Sequence, residues 1–161
     1  MRLARIVKAG DRMQLPRTIL VATDFSELAD EGLAYAVDLA SRLDATIHLL
    51  HVITVPIMGM AEIGMAYGAV TMEATTKEAQ AVLDGLVARY RERAAIAAPR
   101  LEVGDPRDVI DRIAEEINAD LIVMGTHGRR GVRRVLLGSV AESVVRSAPC
   151  PVLTLRPKLR S

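Results

Sequence analysis

Short, continuous apolar runs alternate along the chain with longer stretches in which apolar residues recur every three or four positions. Runs of the first kind suit strands covered on both faces, and stretches of the second kind suit helices packed against them. Thr18-Ile-Leu-Val-Ala-Thr23 is the first strand run, ending at Asp24-Phe25-Ser26. The spacing then predicts a helix to about Leu43, with Ala29, Leu33, Ala36, Val37 and Ala40 on one side. Asp24 and Glu27 are spaced as a capping box, with Ser26 as the competing N-cap. Thr46–Val52 reads as the second strand, Arg100–Val103 as a weaker third, Leu121–Met124 as the fourth and Val152–Arg156 as the last. A helix is expected from about Glu73 to Ala98. Another follows Gly104-Asp105-Pro106, because proline suits the first helical turn, and Val109, Ile110, Ile113 and Ile117 form its stripe. A short helix from Ser139 to Ser147 stops at Pro149-Cys150-Pro151. Alternation of this kind predicts an α/β domain with a parallel sheet.

Length and composition narrow the function. A chain of 161 residues and 17.4 kDa suits one domain, placed at residues 17–161 behind a basic N-terminal extension over 1–16. The apolar content is aliphatic, since Phe25, Tyr35, Tyr67 and Tyr90 are the only aromatic residues. A stacking platform for single-stranded nucleic acid needs several exposed rings, so that class is disfavoured. Cys150 stands alone, which excludes an intramolecular disulfide and a cysteine-rich zinc site and fits a reducing, cytoplasmic compartment. No apolar run reaches the roughly 18 residues of a membrane span, and the basic N-terminus lacks the apolar region of a signal peptide. The net charge of +1 is unevenly spread: +4 over residues 1–18, −10 over 19–128 and +7 over 129–161. Basic ends of this kind can meet nucleic acid or membrane, though solvated tails that aid solubility explain them more simply. Residues 53–72 carry Met58, Met60, Met65 and Met72 among Gly59, Gly64 and Gly68, a composition that suits a lid, a partner surface or an ordinary loop.

The stretch richest in chemistry is Gly125-Thr-His-Gly128-Arg-Arg-Gly-Val-Arg-Arg-Val-Leu-Leu-Gly138-Ser139, which leaves a strand and enters a helix. Glycine lets backbone amides turn toward an anion, and a helix start at Gly138-Ser139 favours a phosphate through its free amides and dipole. Arg129, Arg130, Arg133 and Arg134 add cations. On local residues alone, these glycines could equally serve only to turn the chain while Ser139 caps its helix. Neither G-x-G-x-x-G nor G-x-x-x-x-G-K-[ST] occurs, so a nicotinamide-dinucleotide site and a Walker-type ATPase lose their main support.

Gly125-x2-Gly128-x9-Gly138-Ser139 resembles the G-2x-G-9x-G-(S/T) signature of ATP-binding universal stress proteins. Val21-Ala-Thr-Asp-Phe-Ser26 is similar to that family's first strand and acidic turn, Leu49-Leu-His-Val52 to its second strand, and Ala148-Pro-Cys-Pro-Val152 to its last. The landmarks occur in the family's order over about residues 17–157. The resemblance implies a Rossmann-like open five-stranded parallel sheet of order 3-2-1-4-5 with helices on both faces, and a ligand crevice where the connections from strands 1 and 4 diverge. It implies that Asp24 accepts hydrogen bonds from the adenine or ribose edge, that Ala22 and Thr23 line the base pocket, and that Val52 presents backbone to adenine. Met124 and Gly125 border the ribose on this basis, and Gly128, Gly138, Ser139 and Val140 hold the phosphates, with Arg129 as a weaker contact. Mg²⁺ or Mn²⁺ is then held by phosphate oxygens and water, because the glycine stretch contains no cluster of carboxylates. Ala22 stands where some ATP-binding members have proline, which changes pocket shape.

The implied function is a cytoplasmic stress-response protein that binds ATP, or AMP or ADP, and changes partner interactions with nucleotide state. A homodimer through Val152–Leu155, pairing edge strands across a two-fold axis, and an unidentified protein partner are implied with it. Two alternatives stand beside it: a slow ATPase or self-phosphorylating enzyme using Ser139 or Thr126, and a nucleotide-free scaffold. The enzyme lacks a dedicated base except His127 in the glycine stretch. His48 and His51 are three apart on a strand and point to opposite faces, which argues against a shared metal. Cys150, between two prolines, reads as a small buried residue rather than a redox group.

Overall fold

A computed structural model describes residues 15–54, 65–126 and 137–156, with residues 65–71 described as backbone only. The N-terminal extension up to residue 14, Met58, Met60 and the glycine-stretch residues His127, Gly128, Arg129, Arg130, Arg133 and Arg134 lie outside the described residues.

The elements run β1 (Thr18–Thr23), α1 (Glu27–Leu43), β2 (Thr46–Ile53), α2 (Met65–Tyr90), β3 (Ala95–Ile96), β4 (Arg100–Val103), α3 (Pro106–Glu116), β5 (Leu121–Gly125), α4 (Ser139–Ser147) and β6 (Val152–Leu155). The strands form one parallel sheet in the order β3-β2-β1-β5-β6, with β4 also pairing β2. This is the expected Rossmann-like architecture, except that the third strand comes in two pieces. Ile47 pairs with Ile96 and Leu50 with Arg100, so residues 97–99 stand opposite 48–49. One extra residue on the outer strand is a bulge, and it contains Pro99, whose missing amide hydrogen suits an edge position. The expected helix to Ala98 is corrected accordingly. α2 begins at Met65 and ends at Tyr90, because Ala95 and Ile96 gain ladder hydrogen bonds on β2.

Strand alternation sends side chains to two separate cores. On one face α1 and α2 cover Ile19, Val21, Ile47 and Leu49, with Leu33, Val37 and Leu83 filling the space between. On the other, α3 and α4 cover Leu20, Leu50, Ile122 and Met124, meeting them with Ile110, Ile113 and Val144. Ile19, Ile47, Leu49, Leu50 and Ile122 are fully enclosed, and each such side chain contributes roughly 1.5–3 kcal/mol of transfer free energy.

The helix starts are set locally. Ser26 caps α1, its Oγ accepting from the Ala29 amide at 3.2 Å. The Asp24–Glu27 capping box does not form. Glu27 is already the first helical residue, and Asp24 serves Ser26 instead. Asp105 caps α3, with Pro106 in the first turn as expected.

Candidate functional site at the strand ends

Two neighbouring strands hand the chain to opposite faces. β1 leads into α1 on the first face, while β5 leads toward α4 on the second. A parallel sheet whose adjacent connections diverge leaves a crevice beyond the carboxyl ends of those strands. Ala22 pairs with Met124 across β1 and β5, and with Leu50 across β1 and β2. Ala22, Val52 and Val140 are half-buried against the α3–α4 core to which the buried Met124 belongs, so these four expected residues share one side of the crevice.

Thr23 and Asp24 build the turn on the other wall. The Thr23 hydroxyl accepts from the Phe25 amide at 3.1 Å. Asp24 Oδ1 accepts from both the amide and the hydroxyl of Ser26, at 3.2 and 2.6 Å. Phe25 between them has φ +63°, in the left-handed region, which costs a bulky residue roughly 1–2 kcal/mol. Its ring stacks on His51 with centroids 4.0 Å apart, and His51 Nδ1 lies 2.8 Å from the Thr23 carbonyl oxygen. A carbonyl oxygen only accepts, so the ring carries its proton at Nδ1 in this contact. The sequence placed His51 as a structural residue and left Phe25 unassigned. A Thr-x-x-Ser run at a strand end is the usable signal, since both hydroxyls can accept from turn amides.

The side facing that turn is built from main chain. Gly125 pairs with Leu155 at the end of β5. The next residue, Thr126, is fully buried; its amide donates to Leu155 O at 2.8 Å and its carbonyl accepts from the Gly138 amide at 2.7 Å. The strand exit and the start of α4 are thereby tied together. Gly138 is the N-cap of α4 and supplies no side-chain cap, while Ser139 is exposed. Among the described residues no side chain caps this nine-residue helix, whose start, with the free first-turn amides and positive dipole end of any helix, is tied to the residue after β5.

Among the described residues, no group of three or more His, Cys, Asp or Glu side chains is placed to hold a metal ion, and no helix is long and apolar enough to cross a membrane. The shifted ionisations lie elsewhere. Burial, helped by Arg100, holds His48 below the ordinary imidazole value. Burial raises Asp111, whose Oδ1 has no partner among the described residues. Cys150 is free and half-buried, and burial with nearby Asp120 and Asp111 pushes its thiol up to about 11.

A crevice at a topological switch point, with a turn carboxylate on one wall and a helix start opposite, is the place where open α/β sheets take small ligands. Comparison with known proteins identifies the family. The universal stress protein family profile matches residues 16–156. A Staphylococcus aureus (strain USA300) chain named as a universal stress protein is 39% identical over 146 residues, covering 87% of this chain and 84% of its own length. The solved universal stress protein UspA from Lactobacillus plantarum is 28% identical with a TM-score of 0.73, covering 86% of this chain and 97% of that one. The crystal structure of a universal stress protein in complex with cAMP is 25% identical with a TM-score of 0.63, covering 89% and 98%. This chain belongs to the universal stress protein family.

Proposed function

We propose that this chain is a nucleotide-dependent binding module of the stress response, acting in the cytoplasm and taking ATP, or AMP or ADP, in the crevice at the ends of β1 and β5. The observation that carries this reading is the start of α4: a glycine N-cap tied to the residue after β5, with no side-chain cap hydrogen bond among the described residues. The relative solved with cAMP supports an adenine ligand. In this reading Asp24 accepts from the adenine or ribose edge, Ala22, Thr23 and Val52 line the base, and Met124 and Gly125 border the ribose. Gly128, Gly138, Ser139 and Val140 hold phosphates, with Arg129 assisting. A carboxylate offers about four acceptor positions, so the Asp24 bonds to Ser26 are compatible with a ligand contact. Mg²⁺ or Mn²⁺ enters with the phosphates, neutralising their charge, rather than on a carboxylate cage of the protein.

The purified chain is expected to carry or bind an adenine nucleotide, read by absorbance and mass after denaturation and by calorimetry with AMP, ADP and ATP. A chain that binds none of the three refutes the proposal. Self-association through β6 belongs to the same reading, and it is supported by the uncharged composition of that strand at the sheet edge.

A further inference from the structure

We infer that His51 is a positioning residue for this crevice, holding the strand-end turn in the left-handed conformation that presents Asp24. The inference rests on the reading of the crevice as an adenine-nucleotide site. Three observations converge on one imidazole. Its Nδ1–H donates to the Thr23 carbonyl at 2.8 Å, and its face stacks on Phe25 at 4.0 Å with an interplanar angle of 23°. Phe25 in turn has φ +63° and donates its amide to the Thr23 hydroxyl. Asp24 is thus flanked on both sides by residues anchored to the same ring.

The contact also crosses strands. Thr23 and His51 are register partners at the ends of β1 and β2, and His51 directly precedes Val52, so one side chain ties together the two strand ends that meet the base. A left-handed Phe persists only where its surroundings over-determine it. Without the His51 ring and donor, the turn is free to relax toward the ordinary right-handed or extended regions. Asp24 Oδ1 would then carry its Ser26 bonds to a different place.

The test compares the full chain with His51→Leu, His51→Asn and Phe25→Gly, using AMP and ATP in calorimetry and amide hydrogen exchange without ligand. His51→Leu removes the donor and the ring; His51→Asn restores an N–H near the Nδ1 position; Phe25→Gly keeps the left-handed backbone accessible without the stack. The expected results are roughly tenfold weaker nucleotide binding in His51→Leu, recovery to within about threefold in His51→Asn, and an intermediate loss in Phe25→Gly. Exchange of the Phe25 amide in ligand-free His51→Leu is expected to rise about tenfold or more. Wild-type affinity in His51→Leu, or unchanged Phe25 exchange in both His51 variants, overturns the positioning role while leaving the nucleotide reading intact. A wild-type chain that binds no nucleotide, with Phe25 exchange still dependent on His51, overturns the nucleotide role and leaves only the anchoring of the turn. If His51→Leu does not fold, Phe25→Gly decides on the binding readout: it must bind more weakly than wild type for the inference to stand.

Discussion

The two edges of the sheet are built to opposite rules. At one edge the third strand is broken by the bulge over residues 97–99, and β4 carries Arg100 and Glu102, ion-paired to Glu116 and Arg112 of α3 at 2.8 and 2.7 Å. A bulge and a proline deny an incoming strand a straight ladder, and charged residues on the edge strand add to this. At the other edge β6 is Val152-Leu153-Thr154-Leu155, without charge, glycine or proline. The carbonyls of Pro151 and Leu155 accept from β5 at 3.0 and 2.8 Å. By the alternation of a parallel ladder, the N–H and C=O of Val152 and Thr154 therefore point away from β5. The fold interrupts the sheet on one side and, among the described residues, ends it on the other in a strand with outward-facing ladder groups.

Proline at the open edge is the sharpest way to break that comparison. Thr154→Pro removes an outward amide hydrogen and spares the ladder to β5. In the edge-to-edge dimer proposed above, two symmetry-related hydrogen bonds would be lost, about 2–3 kcal/mol, and sedimentation should show roughly 100-fold weaker dimerisation. Val103→Pro is the control. The Gly104 amide bonds Ile53 O at 3.0 Å, so the preceding Val103 amide faces outward from β4. Its oligomeric state should match wild type, and equal effects from both prolines would end the distinction.

Glycines behind each edge come next. Gly104, between β4 and α3, has φ +154°, and a Cβ there would lie 3.1 Å from Val109 Cγ2. Gly104→Ala should lower stability by about 1–3 kcal/mol in urea titrations without changing association. Gly32 lies on α1 under the open edge, where a Cβ would meet Leu155 and Val123 at 3.7 and 3.9 Å, in ordinary contact. Gly32→Ala should therefore stabilise by about 0.5–1 kcal/mol, from helix propensity; a loss in the same titration would mean that α1 and β6 cannot accept a methyl group.

The smallest effect is electrostatic. The Arg107 side chain and amide hold Asp105, the cap of α3, down to about 2. Its folded value lies below the unfolded one, so its contribution is present above about pH 4 and is lost as pH falls toward 2. Asparagine caps nearly as well. Asp105→Asn should keep the cap but lose the charge-assisted bonds to Arg107, lowering neutral-pH stability slightly and flattening that acid limb in melts between about pH 4 and 2.

Much of this was legible locally. The stripe Ala29, Leu33, Ala36, Val37 and Ala40 is the buried side of α1, α4 spans Ser139–Ser147 as its glycine and proline punctuation indicates, and Pro106 opens α3. Each follows from periodicity or from a residue acting within one turn of itself. The failures share a different cause. The end of α2 and the existence of β3 depend on β2 offering partners to Ala95 and Ile96, which lie 49 residues further along the chain. Ser26 prevails over the Asp24–Glu27 box because the left-handed Phe25 moves the helix start two residues past the box geometry. That Phe25 conformation depends in turn on a ring from another strand.

What the residue order by itself determined is the alternation of elements, the two-faced sheet, the family, and the glycine that opens α4 without a side-chain cap. All of these rest on interactions spanning a few residues or on apolar periodicity, both of which are written locally. Tertiary structure alone decided which strand edge is guarded, and that His51 stands beneath the Asp24 turn. Those features come from register between strands far apart in the chain, where one extra residue at 97–99 or one ring from β2 changes which groups face each other.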